Sequence, residues 1–169
     1  MTSIEARRGG AGDERGQPQR ATVDDLLTVA DERREFWGDR DLPALFHVLL
    51  VREFGETALV VRDEGGRVLA YAFALLTPSD TLYIHLLAVR EGHRRGGLAQ
   101  LLYERLFEIA GARGARRAKA FARPENEGSR AFHERMGFTT AETPDYVGRG
   151  EMRVVFTREI VVREGGMSN

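Results

Sequence analysis

Cysteine is missing altogether from this chain of 169 residues. Its absence excludes disulfide staples, thiolate metal sites and a cysteine nucleophile. It is compatible with a cytoplasmic protein, the location expected here. Long apolar runs are missing too. The longest are short, such as 45–51, so no segment is expected to cross a membrane. Arg7 and Arg8 have no apolar stretch behind them, so they are not expected to begin a secretory signal. A positive excess is also absent. The formal net charge is -1, which argues against a general nucleic-acid binder, whose affinity comes from displacing counterions with basic side chains. No His, Asp or Glu cluster has metal-ligand spacing, so no metal is expected. The G-x-x-x-x-G-K-[ST] phosphate loop, the G-x-G-x-x-G dinucleotide pattern and the G-x-S-x-G nucleophile elbow are all missing.

What remains is an ordinary soluble balance, 42% hydrophobic and 30% charged, in a chain long enough to bury one core. Residues 1–19 are rich in glycine and charge and are expected to be a disordered tail, as are residues 163–169. The domain is expected over 20–162. Thr22 can cap a helix over 24–35, with Asp25 as its capping-box partner. Asp41 and Pro43 can start a second helix that runs to Phe54 and stops at Gly55. Strands are expected over 57–62 and 67–76, joined by the turn Asp63-Glu64-Gly65-Gly66, and again over 81–89. Leu98, Leu101, Leu102, Leu106 and Ile109 repeat with helical period over 97–113. A strand over 116–122, a helix over 126–136 and a strand over 152–162 complete the order. The fold class read from this order is α/β (α+β), a three-layer domain with a mixed central β-sheet flanked by helices.

The most informative segment is Val89-Arg90-Glu91-Gly92-His93-Arg94-Arg95-Gly96-Gly97-Leu98-Ala99, between an apolar strand and an amphipathic helix. Glycines allow a sharp turn and close backbone approach to a ligand. The first N–H groups of the helix lack internal partners, and with the helix dipole they suit a pyrophosphate. A plain strand–loop–helix joint with solvated arginines is the alternative.

Arg94-Arg95-Gly96-Gly97-Leu98-Ala99 matches the R/Q-x-x-G-x-G/A signature of the GCN5-related N-acetyltransferases, the GNAT superfamily. Asn126-Glu127-Gly128-Ser129-Arg130-Ala131-Phe132-His133-Glu134-Arg135-Met136-Gly137-Phe138 resembles that family's second signature, in the right order and at a plausible separation. The resemblance covers about 20–162. It implies an acyltransferase that moves an acetyl group from acetyl-CoA, as co-substrate, to a primary amine of a small molecule, or of a peptide or protein. It implies that Arg94, Arg95, Gly96, Gly97, Leu98 and Ala99 hold the pyrophosphate. It implies that the main chain of Leu87, Ala88 and Val89 pairs with the pantetheine arm, and that Asn126, Ser129, Phe132 and His133 line the coenzyme site. Asn126 is equally well placed as a helix N-cap.

Two histidines stand at chemically interesting places. His85 lies four residues before Val89, where many family members carry a glutamate base; it is either the base or a core histidine. Strict alternation would put Tyr83, His85, Leu87 and Val89 on one strand face and Leu82, Ile84 and Leu86 on the other. His133 replaces the tyrosine often assigned to protonate the leaving thiolate, so that role does not transfer simply. It is either an acid or a packing residue, and Tyr146 is the nearest alternative phenol in sequence. His47 reads as structural and His93 as a neighbour of the basic loop. Acceptor identity is expected to depend on the regions around Trp37, on the turn at Thr77 and on the loop at Tyr146, with Phe36, Phe46, Tyr71 and Phe73 as further aromatic candidates. The competing reading is a non-catalytic acyl-CoA-binding sensor on the same fold. Partners are acetyl-CoA and an amine, with no nucleic acid or membrane, and with room for a homodimer.

Overall fold

The structure is a computed structural model and describes residues 16–39 and 48–161. Twelve regular elements follow in order among them. They are β1 (Gln19–Arg20), α1 (Val23–Asp31), α2 (Arg33–Trp37), α3 (Val48–Glu53), β2 (Ala58–Arg62), β3 (Val68–Leu76), β4 (Thr81–Val89), α4 (Leu98–Ala112), β5 (Arg117–Ala122), α5 (Glu127–Arg135), β6 (Thr139–Thr143) and β7 (Arg153–Glu159). A 3₁₀ turn at Gly55–Thr57 joins α3 to β2.

One seven-stranded sheet runs β1-β2-β3-β4-β5-β7-β6. Every neighbouring pair is antiparallel except β4 and β5, which are parallel and joined by the α4 crossover. On one face, Leu98, Leu102, Leu106 and Ala110 of α4 pack on Ala70 and Ala72 of β3 and Ala118 and Ala120 of β5. Small strand side chains let the helix approach closely. Met136 and Phe138, just after α5, join the same core. The opposite face is covered by α1, α2 and α3, whose Leu26, Val29, Phe36, Trp37 and Val51 meet Val60, Tyr71, Phe73 and Leu86. The layers are therefore helix, mixed sheet, helix, as the element order predicted.

Several local expectations hold for visible physical reasons. The Thr22 hydroxyl accepts from Asp25 N at 3.2 Å, and Asp25 Oδ2 accepts from Thr22 N at 2.7 Å, a complete capping box. In the β2–β3 turn, Asp63 Oδ1 accepts from Arg67 N at 2.8 Å, and Gly66 takes φ +82°.

Other expectations change. The single helix over 24–35 is two helices, broken at Glu32 (φ −91°, ψ 20°). The break turns Phe36 and Trp37 into the core while Glu32 meets the buried Arg90. The second helix is observed as α3; its proposed start at Asp41 and Pro43, with Phe46 and His47, lies outside the described residues. The last strand is Arg153–Glu159, shorter than expected. Strand β6 was not anticipated. It is an exposed edge strand of sequence TTAET, with no apolar alternation to reveal it.

The strict alternation expected along β4 is corrected. Its register with β3 steps from Phe73↔Leu86 to Ala74↔Ile84, so His85 is an inserted residue, a β-bulge. The parity of the strand reverses there. Leu82, Ile84, Leu87 and Val89 all pack on the α4 side, whereas Leu86 and Ala88 join the opposite core.

Candidate active site

The site begins where two parallel strands part. Pairing between β4 and β5 covers only Thr81↔Arg117, Leu82↔Ala118 and Tyr83↔Lys119. Beyond Tyr83 the pairing ends, two residues before the bulge at His85, a feature of the kind that bends a strand. On its other side β4 stays paired with β3 through Ala72↔Leu87, Tyr71↔Ala88 and Ala70↔Val89. Among the described residues, Leu87, Ala88 and Val89 therefore have one strand edge with no ladder partner, an edge suited to an extended, amide-containing chain.

At the end of β4 the chain enters the glycine-rich loop. Three of its residues have left-handed backbone: Gly92 (φ +83°), Arg95 (φ +67°) and Gly97 (φ +81°). Left-handed residues alternating with right-handed ones turn successive N–H groups toward one concave point. Gly97 is the N-cap of α4 and offers no side-chain cap, so the first N–H groups of that helix have no capping side chain. Arg95, Gly96 and Gly97 are exposed, followed by the buried Leu98 and half-buried Ala99 at the helix start. Arg94 is the exception to the expected set. Its guanidinium folds back and donates to Phe36 O at 2.7 Å and Val89 O at 3.4 Å, fastening the loop to α2.

Arg90 fastens the loop more deeply, and sequence reasoning passed over it. The side chain is buried, donates from Nε to Val68 O at 2.9 Å, pairs with Glu32 and lies over the Phe36 ring at 4.7 Å. Glu91 N also donates to Glu35 O at 2.7 Å. The loop is thus set by α1, α2 and β3 together.

The second signature region forms α5. Asn126 caps it, accepting from Ser129 N at 3.1 Å. Phe132 packs partly buried against the α4 core and edge-on to Tyr103, ring centroids 5.1 Å apart. His133 points the same way. It is buried, and stacked flat on Phe156 at 4.0 Å. Nδ1 lies 2.8 Å from Ser129 O, which can only accept, so Nδ1 carries the hydrogen. Nε2 then accepts from the Tyr103 hydroxyl at 3.0 Å. Burial pulls the imidazole down to about 4, against a smaller opposing effect from the Ser129 carbonyl. At neutral pH it is uncharged with both nitrogens engaged.

The other side of the opening is aromatic. His85 lies 6.0 Å from the Phe73 ring and 5.9 Å from the Tyr83 ring, both edge-on. Tyr83 stacks on Phe121 at 6.2 Å, and Phe121 meets Tyr146 edge-on at 5.3 Å. Lys119 Nζ sits 5.2 Å above the Tyr146 ring. Burial, and then the neighbouring Tyr146 phenol, push the Tyr83 phenol up to about 12. The structure thus brings His85 and Tyr146 to one cluster and leaves His133 in the core behind α4. Tyr83, Lys119 and Phe121 were missed as lining residues. Strand parity could have found them: Ala118, Ala120 and Ala122 face α4, so Lys119 and Phe121 face the other way. Phe36, Trp37, Tyr71 and Phe73 belong to the second core. His93 is exposed in the loop.

Among the described residues no group of three or more His, Cys, Asp or Glu could hold a metal ion, and no helix is long and apolar enough to cross a membrane. The sequence pattern of the acetyltransferase (GNAT) family matches residues 23–138, more than half of the chain. The chain belongs to the GNAT family.

GNAT proteins are acyltransferase enzymes, and the similar proteins agree with this. A mycothiol acetyltransferase from Beutenbergia cavernae is 33% identical over 81 residues, which is 47% of this chain and 27% of that protein. The match thus spans about a quarter of that relative's length. Ard1 from Thermoplasma volcanium superposes with a TM-score of 0.72 at 18% identity, covering 86% of this chain and 98% of the other. A phosphinothricin acetyltransferase from Sinorhizobium meliloti, solved in complex with acetyl-CoA, gives a TM-score of 0.67 at 18% identity, covering 85% and 88%. At such identities the GNAT fold is what is shared, and the divergent β4–β5 pair and glycine-rich loop lie inside it.

Proposed function

We propose that this GNAT protein transfers the acetyl group of acetyl-CoA to a primary amine of a small molecule. The observation that carries the proposal is the parting of β4 from β5 past Tyr83, with the Gly97 helix start at one end and His85 on the bulge at the other. Acetyl-CoA supplies an activated acyl group and a stable thiolate leaving group. The protein supplies the remainder. Backbone N–H groups of Arg95 to Ala99 bind the pyrophosphate, and Gly97 allows the approach because it has no Cβ. The open edge of Leu87 to Val89 aligns the pantetheine arm, and Asn126 and Ser129 border it. Backbone N–H at the bulge stabilises the oxygen that gains charge as nitrogen attacks. His85, directly or through a held water, takes the proton the amine must lose as the C–N bond forms and the C–S bond breaks. Since His133 is neutral and engaged on both nitrogens, the thiolate takes its proton from Tyr146 or from solvent. The relative matched over 81 residues is named for mycothiol, a single compound, which supports a small-molecule acceptor.

A panel of small primary amines with acetyl-CoA, followed by thiol release, tests the proposal. Wild type should acetylate a subset of the panel. His85→Ala should lower turnover about 10²–10⁴-fold, the usual range for a positioned base, with acetyl-CoA affinity within threefold of wild type or so. Unchanged turnover in His85→Ala on the best acceptor returns His85 to a packing role. A wild type that acetylates no amine refutes the activity itself.

A further inference from the structure

Arginine and lysine are used very unequally in this chain. It has 24 arginines and one lysine, and that lysine is Lys119. Its position is as unusual as its rarity. Lys119 sits half-buried in β5, paired with Tyr83 on one side and Thr157 on the other, at the last rung before β4 and β5 part. Its side chain is on the sheet face opposite α4, with Tyr83, Phe121 and Tyr146 around it.

Its ammonium is matched to a ring and not to an oxygen. The nitrogen lies over the Tyr146 face, and among the described residues its three N–H donors meet no acceptor. The acids of the loop that carries Tyr146, and of β6 before it, are occupied elsewhere. Asp145 accepts from Gly150 N at 2.6 Å, Glu151 pairs with Arg153 at 2.9 Å and Glu142 with Arg130 at 3.2 Å. Among the described residues no carboxylate pairs with Lys119. A strongly hydrated point charge held beside aromatic faces is poorly solvated, and it gains most from a compact anion.

We propose that Lys119 binds a carboxylate on the acceptor, so that the acceptor is an amino acid or another amine that also carries a carboxylate. The inference rests on the N-acetyltransferase reading above. A single lysine suits a monoanion better than a phosphate, which carries more charge and is usually met by several donors. Spacing suits the class as well. His85 is two residues along β4 from Tyr83, the register partner of Lys119. At ~3.3 Å per residue along and ~4.8 Å across, the two side chains are rooted about 8 Å apart on one face. Side chains rooted that far apart leave room between them for a molecule the size of a single amino acid, with its amine at His85 and its carboxylate at Lys119. Tyr83, Phe121 and Tyr146 then pack on its apolar part.

Binding of product-like probes tests this without needing turnover. N-acetyl amino acids with aromatic, aliphatic and polar side chains are compared with their carboxamides by calorimetry, in the presence of coenzyme A. Wild type should bind at least one carboxylate probe about tenfold to a hundredfold more tightly than its carboxamide, the range for a hydrogen bond to a charged group. Lys119→Met should remove that preference, and Lys119→Arg, which keeps the charge, should retain part of it. Equal or undetectable binding of every matched pair in wild type overturns the inference. So does a preference that survives in a folded Lys119→Met. Acetyl transfer without any carboxylate preference sinks this inference alone. A carboxylate preference in a protein that transfers no acetyl group sinks only the activity.

Discussion

His133 illustrates how one side chain's surroundings decide its chemistry. Its place in the sequence is that of a proton donor, yet its hydrogen-bond partners are Ser129 O and the Tyr103 hydroxyl, and its ring is stacked on Phe156. A group with a folded pKa of about 4, against an ordinary 6.5, leaves a signature in stability. Between those values the unfolded chain binds the proton and the folded chain does not. Stability is therefore present above 6.5 and is lost as pH falls toward 4, by about 3 kcal/mol across the window. His133→Phe should flatten that part of a urea-denaturation profile against pH. It should also cost roughly 1–3 kcal/mol at pH 7, because the buried Tyr103 hydroxyl loses its acceptor. Turnover should stay within about tenfold of wild type, since the thiolate of coenzyme A is a good leaving group near its ~8.5 pKa. A loss beyond about a thousandfold with coenzyme affinity intact makes the imidazole an essential acid. Asp25 acts in a different window. Burial alone would raise its carboxyl, but the Thr22 bonds and the Arg62 guanidinium outweigh this and hold it below the usual range. Its contribution is lost only in more acid solution, so that limb should persist in His133→Phe.

Elements matter here mainly through their ends. Helix α4 is amphipathic along its length, and the part proposed to bind the pyrophosphate is its first turn, where Gly97 at φ +81° provides no capping side chain. A Cβ at such a φ costs roughly 1–2 kcal/mol, and a carboxylate there meets an anion with like charge. Gly97→Glu is therefore expected to abolish acetyl-CoA binding in calorimetry while α4 keeps its helical circular dichroism. Equal affinity of mutant and wild type would move the pyrophosphate away from this loop. Strand β4 works through its middle. One inserted residue at His85 reverses the facing of Leu86, Leu87, Ala88 and Val89, bends the strand and opens it from β5. Helix α2, only five residues long, matters because Glu32 and Glu35 beside and within it meet the buried Arg90 that ends β4.

At the scale of the whole molecule, two cores clamp one sheet from opposite faces, and the β4–β5 opening lies between them. On the proposed reading a ligand in the opening would touch β4, α4 and α5 together, so its binding free energy would add to the stability of the entire fold. At a hundredfold excess over its dissociation constant, acetyl-CoA should contribute about 2.7 kcal/mol. For a chain of this size that corresponds to a rise in Tm of roughly 5–11 °C, read by calorimetric melting. No shift at saturating acetyl-CoA counts against the site as a coenzyme site. The fold itself was largely legible in the residues. The capping pair Thr22 and Asp25, the Asp63–Gly66 turn, the leucine period of α4 and the glycines around residue 97 are all local signals, produced by neighbours in sequence. The family and its acyl-transfer chemistry followed from two such local patterns. What the tertiary structure decided lies where distant segments meet. A bulge is a mismatch between two strands, so neither strand announces it alone. Edge strand β6 is polar because one of its sides has no neighbour, and it owes its form to β7. Burial of Arg90 and of His133, and the gathering of His85, Lys119, Phe121 and Tyr146 at one opening, depend on contacts across 25 residues or more. Residue type supplied the chemistry available to this chain, and packing chose which of it faces the cleft.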